Sequence, residues 1–393
     1  MTNFLSAEFI RRLRWGKMNR REFLKVIGYF KMMGLKAESR ETPEPMEPIG
    51  VSLDRKSFQV RRSGRRFVPW GFNYDHDENG RLIEDYWETE WSKVEEDFQE
   101  MKALGANVVR IHLQFGKFMN GLDRPNWRAL DRLRQLIELA ERLKVYLDIT
   151  GLGCYRKDEV PSWYNNLSEE ERWKAQGVFW EAVASVCAGS TAVFCYNLMN
   201  EPLVPGEEEK RSDWLGSPLE GMHFTQYIAL STKGRKRVEV AKEWIRYLLT
   251  AIRKHDEHHL VTVGLVSWSL EKPGFTSGFV PEQISEDLDF IAVHIYPEEG
   301  KLDEALETLK GFSVGKPVLV EEIFPLRCSV KEVEEFIERS KEIASGWLGF
   351  YWGKTPDECL KSKTLRDQLM FEWLELFQRK YRQGITSPNS NRS

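Results

Sequence analysis

The chain has 393 residues, 57 of them basic and 61 acidic, for a formal net charge of −4. That balance excludes the strongly basic surface of a nucleic-acid-binding domain. Hydrophobic residues at 41% and charged residues at 30% supply a large core and exclude an intrinsically disordered chain. Aromatic residues are in excess at 12%, with 14 Trp, 12 Tyr and 22 Phe; they serve either as buried bulk or as flat platforms for a ligand. Five scattered cysteines (Cys154, Cys187, Cys195, Cys328, Cys359) form no C-x-x-C pair, which excludes a disulfide scaffold and a zinc ribbon. No apolar run reaches the roughly 18 residues of a membrane-spanning helix.

In chain order, residues 1–50 read as an N-terminal extension. Asn19-Arg20-Arg21-Glu22-Phe23-Leu24-Lys25, ahead of the moderately apolar Val26–Leu35, fits a twin-arginine export signal. Lys31 within that run, and the lack of a small-residue cleavage site, fit a basic amphipathic arm instead. Localisation is therefore open between export and the cytoplasm. Residues 38–48, rich in Pro and Glu, read as a stiff, solvated linker. Ser57–Val60 and Arg66–Trp70, joined around Ser63-Gly64, predict a short β-hairpin whose second arm continues into Gly71-Phe72-Asn73.

From there the pattern alternates. A helix with Trp91, Val94, Phe98, Met101 and Leu104 on one face is followed by a strand over Asn107–His112, a helix over Leu130–Leu143 and a strand over Val145–Thr150. The capping box Ser168-Glu-Glu-Glu171 opens the next helix. A strand over Val193–Leu198, a long loop and a helix over Val238–Ile252 come next. Strands follow over Val261–Val266, Phe290–Ile295, Val318–Glu321 and Trp347–Tyr351, with helices over Val330–Ala344 and Leu365–Phe377. A fifth helix between Trp268 and Asp289 is interrupted by Pro273, Gly274, Gly278 and Pro281. Eight short apolar strands alternating with helices over about 330 residues predict a (β/α)8 TIM barrel spanning 51–380, preceded by the hairpin and followed by a disordered tail over 381–393. A doubly wound open sheet is the alternative, but the phosphate-binding glycine turn that such a sheet places after its first strand is missing.

In such a barrel the chemistry sits at the C-terminal ends of the strands. Those ends carry Asn73 and Tyr74, Arg110 and His112, Asn200-Glu201-Pro202, His294 and Tyr296, Glu321-Glu322, and Trp352. Two carboxylates on separate strands among aromatics suit glycoside hydrolysis, in which one carboxyl protonates the leaving oxygen and the other attacks or stabilises the anomeric carbon. Glu201 beside Pro202 also fits an ordinary helix start. Strand alternation sends neighbouring residues to opposite faces, so only one of Glu321 and Glu322 should point inward.

Met199-Asn200-Glu201-Pro202, His294-Ile295-Tyr296-Pro297 and Lys316-Pro317-Val-Leu-Val-Glu321-Glu322, with Gly71-Phe-Asn73, Asn107-Val-Val-Arg110 and Gly349-Phe-Tyr-Trp352 in order, resemble glycoside hydrolase family 5 of clan A over about residues 51–380. The resemblance implies a retaining mechanism without a cofactor or metal, with Glu201 as general acid/base and Glu322 as nucleophile. It further implies Asn200 on the sugar 2-hydroxyl, Arg110 beneath the nucleophile, His294 and Tyr296 as the sixth-strand pair, and Trp352 under the sugar at the cleaved bond. The implied partner is a β-linked glucan or mannan. The oligomeric state is open. The paired glutamates lean towards the mannanase-like branch. Two features depart from the family pattern: Ile149-Thr150-Gly151 ends the third strand where many members have a histidine, and no glycine follows Glu322. A non-catalytic carbohydrate-binding barrel and a transglycosylase on the same scaffold are the competing readings.

The remaining features have plainer readings. His112 reads as a satisfied barrel histidine. Trp91, Trp127, Trp173, Trp180, Trp244 and Trp373 fall in helices and read as packing; Trp87, Trp163, Trp214 and Trp268 lie near loops as candidate subsite walls. His255, His258 and His259 end a helix without ligand-spaced partners for zinc. The loop from Leu203 to Gly234 is expected to shape the cleft beside Glu201.

Overall fold

The computed structural model describes residues 46–271 and 276–387. Residues 1–45, which carry the motif resembling an export signal, lie outside the described residues. Eight parallel strands close into a barrel in sequential order: Trp70–Tyr74, Val108–Gln114, Tyr146–Gly153, Val193–Asn200, Leu260–Val266, Ile291–His294, Val318–Ile323 and Gly346–Gly349. They are called here the first to eighth barrel strands. Nearly every residue in them is buried, because side chains of one parity fill the barrel and those of the other meet the helix layer.

The major outer helices run over Trp91–Ala103, Trp127–Leu143, Glu169–Cys187, Arg237–Ile252, Leu302–Gly311, Val330–Ser340 and Leu365–Arg382. The expected capping boxes form at Ser168 with Glu171 and at Ser329 with Glu332, each serine oxygen accepting the third residue's N–H while the glutamate returns to the serine N–H. Leu302–Gly311 was not anticipated from the sequence: it is a ten-residue helix with only Leu306 and Leu309 buried, too weak a stripe to stand out. The interrupted fifth helix shrinks to Pro281–Ile284 and a 3-10 turn, Ser285–Asp287. The last helix reaches Arg382 and Ile385 is buried, so ordered chain extends past residue 381. Among the described residues no helix is long and apolar enough to cross a membrane.

The expected hairpin is a three-stranded antiparallel sheet, Ile49–Val51, Phe58–Val60 and Arg66–Phe67. Its second arm stops at Phe67 because Pro69, without an N–H, breaks the ladder before the first barrel strand. Phe58 packs edge-on against Phe194 and Phe290, each at 5.1 Å, and Ile49 and Phe67 join the same cluster. The sheet thus plugs the N-terminal mouth of the barrel and leaves the opposite mouth free.

The tryptophans divide as the strand and helix pattern suggests, with exceptions. Trp180, Trp244 and Trp373 are fully buried between helices and barrel. Trp127, expected to pack, is 63% exposed because it occupies the first helical position, before the apolar stripe begins. Trp87 and Trp214, candidate walls, are buried instead; Trp214 lies under the Arg172 guanidinium at 4.4 Å.

Candidate active site

At the open mouth, the strand ends converge on a cluster organised around Arg110. Its guanidinium is fully buried and donates Nε to Thr150 Oγ1 (2.8 Å), Nη1 to Asn73 Oδ1 (2.8 Å) and Glu322 Oε1 (2.6 Å), and Nη2 to Asn200 Oδ1 (2.9 Å). Nη2 also stands 3.2 Å from Glu321 Oε2. The planar fork of arginine is what lets one side chain address five partners on four other strands. Thr150, in the segment that departs from the family pattern, takes a structural part here as the acceptor for Nε. Asn73 is a second clamp: its Nδ2 donates to the Glu321 carbonyl at 2.9 Å.

Glu322 accepts from Arg110 on one oxygen and from the Tyr296 hydroxyl on the other, at 2.6 Å each. Glu201 follows the fourth strand with a left-handed backbone (φ 46°), and its N–H is held by the Gly264 carbonyl at 2.9 Å. A residue other than glycine in that region of φ/ψ space is strained and is commonest at functional sites. His294 lies between the two: Nδ1 is 2.9 Å from Glu201 Oε1 and 3.4 Å from Glu322 Oε2. One oxygen of each glutamate and a ring nitrogen of His294 all fall within 4.8 Å of one another.

Both Glu321 and Glu322 are buried in the barrel, against the alternation argument. The reason is a register shift: Val293 pairs with Val320, but His294 pairs with Glu322, so the strand bulges at Glu321. Glu321 Oε2 accepts from Asn197 Nδ2 (2.7 Å) and lies 3.2 Å from both Arg110 Nη2 and His294 Nε2.

Electrostatics follow from this crowding. Burial works against a charged His294, but Glu322 and the bonds to Glu201 and Glu321 outweigh it and push the imidazole up to about 9. Burial pushes the Glu322 carboxyl above the ordinary range, opposed by His294 and Arg110. Burial would raise Glu321 as well; there Arg110 and His294 win and hold it down at about 2. His112 is buried, its ring between Tyr155 and Asn73, and burial together with the Arg110 charge holds it well below its usual range. It is therefore the satisfied neutral histidine expected. The Glu201–His294–Glu322 group is compact enough to surround a metal ion. A protonated imidazole with a carboxylate at each nitrogen has no lone pair to give one.

Asn200 accepts from Arg110 through Oδ1 and donates one of its two amide N–H groups to the Phe224 carbonyl (3.0 Å), so it braces the cluster and anchors the long loop. Trp352, an expected ligand, is placed otherwise. Trp352 is 1% exposed and donates its indole N–H at 3.0 Å to Asp97 on the outer helix Trp91–Ala103. It faces the helix layer and offers no platform. The aromatic on the cleft side is Phe350, half-buried and ringed by Phe224 (6.2 Å), Tyr296 (6.3 Å) and His76 (6.2 Å). Phe224 belongs to the long loop, whose His223 N–H bonds the Tyr155 carbonyl across the mouth of the barrel at 2.8 Å. Asn73 and Thr150, noted at strand ends without an assigned part, and Asn197 and Phe350, which strand-end reading passed over, are neighbours of the cluster; the aromatic run after Gly349 was the available signal for Phe350.

Comparison with known proteins agrees with this geometry. The family model Cellulase (glycosyl hydrolase family 5) matches residues 72–354. A mannan endo-1,4-beta-mannosidase A of Podospora anserina is 24% identical over 333 residues, covering 78% of this chain and 73% of that protein. Among solved structures, the exo-beta-1,4-mannosidase Op5Man5 from Opitutaceae bacterium strain TAV5 superposes with a TM-score of 0.64 at 15% identity, over 87% of this chain. The chain spans only 63% of that protein's length. The beta-1,4-mannanase of the sea hare Aplysia kurodai gives a TM-score of 0.56 at 13% identity, over 83% of this chain and 95% of that one. At these identities the structural matches speak for the barrel fold.

Proposed function

The chain belongs to glycoside hydrolase family 5, and on that premise we propose that it hydrolyses a β-1,4-linked mannan or a closely related β-glycan with retention of configuration, Glu201 acting as general acid/base and Glu322 as nucleophile. In the first step a Glu322 oxygen bonds to the anomeric carbon as the glycosidic C–O bond breaks, and the Glu201 proton passes to the departing oxygen. In the second, Glu201 takes a proton from water, the water oxygen bonds to the anomeric carbon, and Glu322 leaves as a carboxylate.

The observation that carries this reading is the closeness of the two carboxylates, whose oxygens fall with His294 inside 4.8 Å. A separation of about 5 Å leaves no room for a water between carboxylate and sugar, as inversion would require. The double clamp on Glu322 by Arg110 and Tyr296 supports the nucleophile assignment, since it fixes the carboxylate's direction. Glu201, 17% exposed and bonded through His294, is the more open of the pair, as a group exchanging protons with substrate and water should be. The mannan preference rests on the named activities of the relatives.

The test is reducing-sugar release from mannan, glucan and xylan, with the anomer formed first identified by NMR. Retained β-configuration on mannan is expected, with activity lost by at least about 10³-fold in Glu201→Gln and Glu322→Gln on unactivated substrate. Full activity in either variant, or an inverted product, would refute the assignment.

A further inference from the structure

Beneath the reacting glutamates lies a third carboxyl that the mechanism does not use. Asp148 sits on the third barrel strand, paired in register with Arg110 on one side and Cys195 on the other. It is 0% exposed, and neither of its oxygens has a hydrogen-bond partner as an acceptor among the described residues; Glu321 Oε1 is in the same position. The two carboxyls are within hydrogen-bonding reach of each other, with the weakly donating Cys195 thiol alongside. Two ionised carboxylates so close in a dry interior are strongly disfavoured, and one proton between them satisfies both orphan oxygens.

We propose that Asp148 is a buried carboxylic acid donating its proton to Glu321 Oε1, and that it is a positioning residue which holds Glu321 as the anion bracing Arg110 and His294. The proton resides on Asp148 because the donors are unevenly shared. Glu321 faces Asn197, Arg110 and His294 Nε2, all of which favour its charged form. Asp148 faces Arg110 from the second strand, Cys195 from the fourth and Glu321 from the seventh, without a direct bond from the guanidinium. In agreement, burial and the Glu321 charge push the Asp148 carboxyl well up while Glu321 is held down. Glu321 then presents one oxygen to Arg110 and His294, which in turn orient Glu322 and Glu201. The positioning role rests on the reading of Glu201 and Glu322 as the reacting pair; the protonation state does not.

Infrared spectroscopy and kinetics test the two parts separately. In the Glu201→Gln background, the difference spectrum against the same protein carrying Asp148→Asn should show a carboxylic-acid C=O band at pH 7, and carboxylate bands in its place would overturn the proposal. In otherwise native enzyme, Asp148→Asn, whose amide N–H replaces the shared proton, should keep kcat within about threefold and keep the pH profile. Asp148→Ala, without a donor, should lose roughly 10- to 100-fold in kcat with KM little changed and with the alkaline limb moved. Equal loss in the Asn and Ala variants would overturn the positioning role. If the band is present but the Glu201 and Glu322 variants retain activity, the functional reading fails and the shared proton stands.

Discussion

Gly264, on the fifth barrel strand, is the position whose substitution tests the site's geometry most directly. Its carbonyl holds the Glu201 N–H and its N–H donates to Asn197 Oδ1, each at 2.9 Å. A Cβ there would stand 3.0 Å from Arg110 Nη2, 3.1 Å from Glu321 Oε2 and 3.1 Å from His294 Nε2. Such contacts require each neighbour to recede by a few tenths of an ångström. None has free space, since all three are buried and tied to one another. Overpacking of this sort costs about 1–3 kcal/mol of stability. A displacement of about 1 Å in a catalytic group costs roughly 10²-fold, so about half that shift corresponds to roughly tenfold in rate. Gly264→Ala is therefore expected to lower kcat about tenfold with little change in KM, and to move the His294 titration in NMR spectra of histidine-labelled protein. A variant with wild-type kcat and an unmoved His294 would show that Gly264 does not set the spacing of the cluster.

Phe350→Ala should raise KM about tenfold on oligosaccharides by removing a ring from the cleft. Trp352→Phe should leave KM unchanged and lower Tm by losing the Asp97 bond, about 1 kcal/mol; the reverse result would restore Trp352 as the platform. His294 is raised from 6.5 to about 9 in the folded state, so its contribution to stability is complete below about pH 6.5 and is lost as pH rises through 9. Thermal melts should show Tm falling over that window, and His294→Asn should flatten the fall. Glu84 is buried and its carboxyl is pushed up to about 7 by desolvation, partly offset by the Gln114 N–H it accepts at 2.8 Å. Its folded pKa is above the unfolded one, so stability drops as pH rises from about 4.5 through 7. Glu84→Gln, which keeps the acceptor, should raise stability by up to about 3 kcal/mol at pH 8 and hardly at pH 4, as measured by denaturant titration.

The barrel was legible because each strand is a short apolar run with polar residues at its end, and because a closed parallel barrel concentrates chemistry at those ends. Glu201 and the Glu321-Glu322 pair could be named on that ground, and the choice of Glu322 came from the resemblance to the family. The misreadings have local causes. Alternation failed at Glu321-Glu322 because the ladder slips between Val293 and His294, and a bulge leaves no mark in residue types. Phe350-Tyr351-Trp352 offers an aromatic at three successive positions, and which of them faces the sugar depends on the turn after Gly349. Thr150 and Asn197 are small neutral residues on strands, and their part appears only once Arg110 and Glu321 are seen to bond them.

The charge balance of the interior ties these features together. Arg110 and His294 bring two positive charges into a buried space, and Glu321 and Glu322 balance them within 3.4 Å. A further ionised carboxylate at Asp148 would be an uncompensated buried anion, at a cost of several kcal/mol. The bulge that places Glu321 inside is therefore more than an irregularity of the ladder. Without it His294 would lose its Nε2 partner and one of the three groups that favour its charged form against burial. A neutral imidazole can donate from only one nitrogen, so it could not serve Glu321 and the reacting pair together. On the proposed assignment two adjacent glutamates on one strand thus divide the work: Glu322 would meet the sugar, and Glu321 helps to keep the histidine between Glu201 and Glu322 charged.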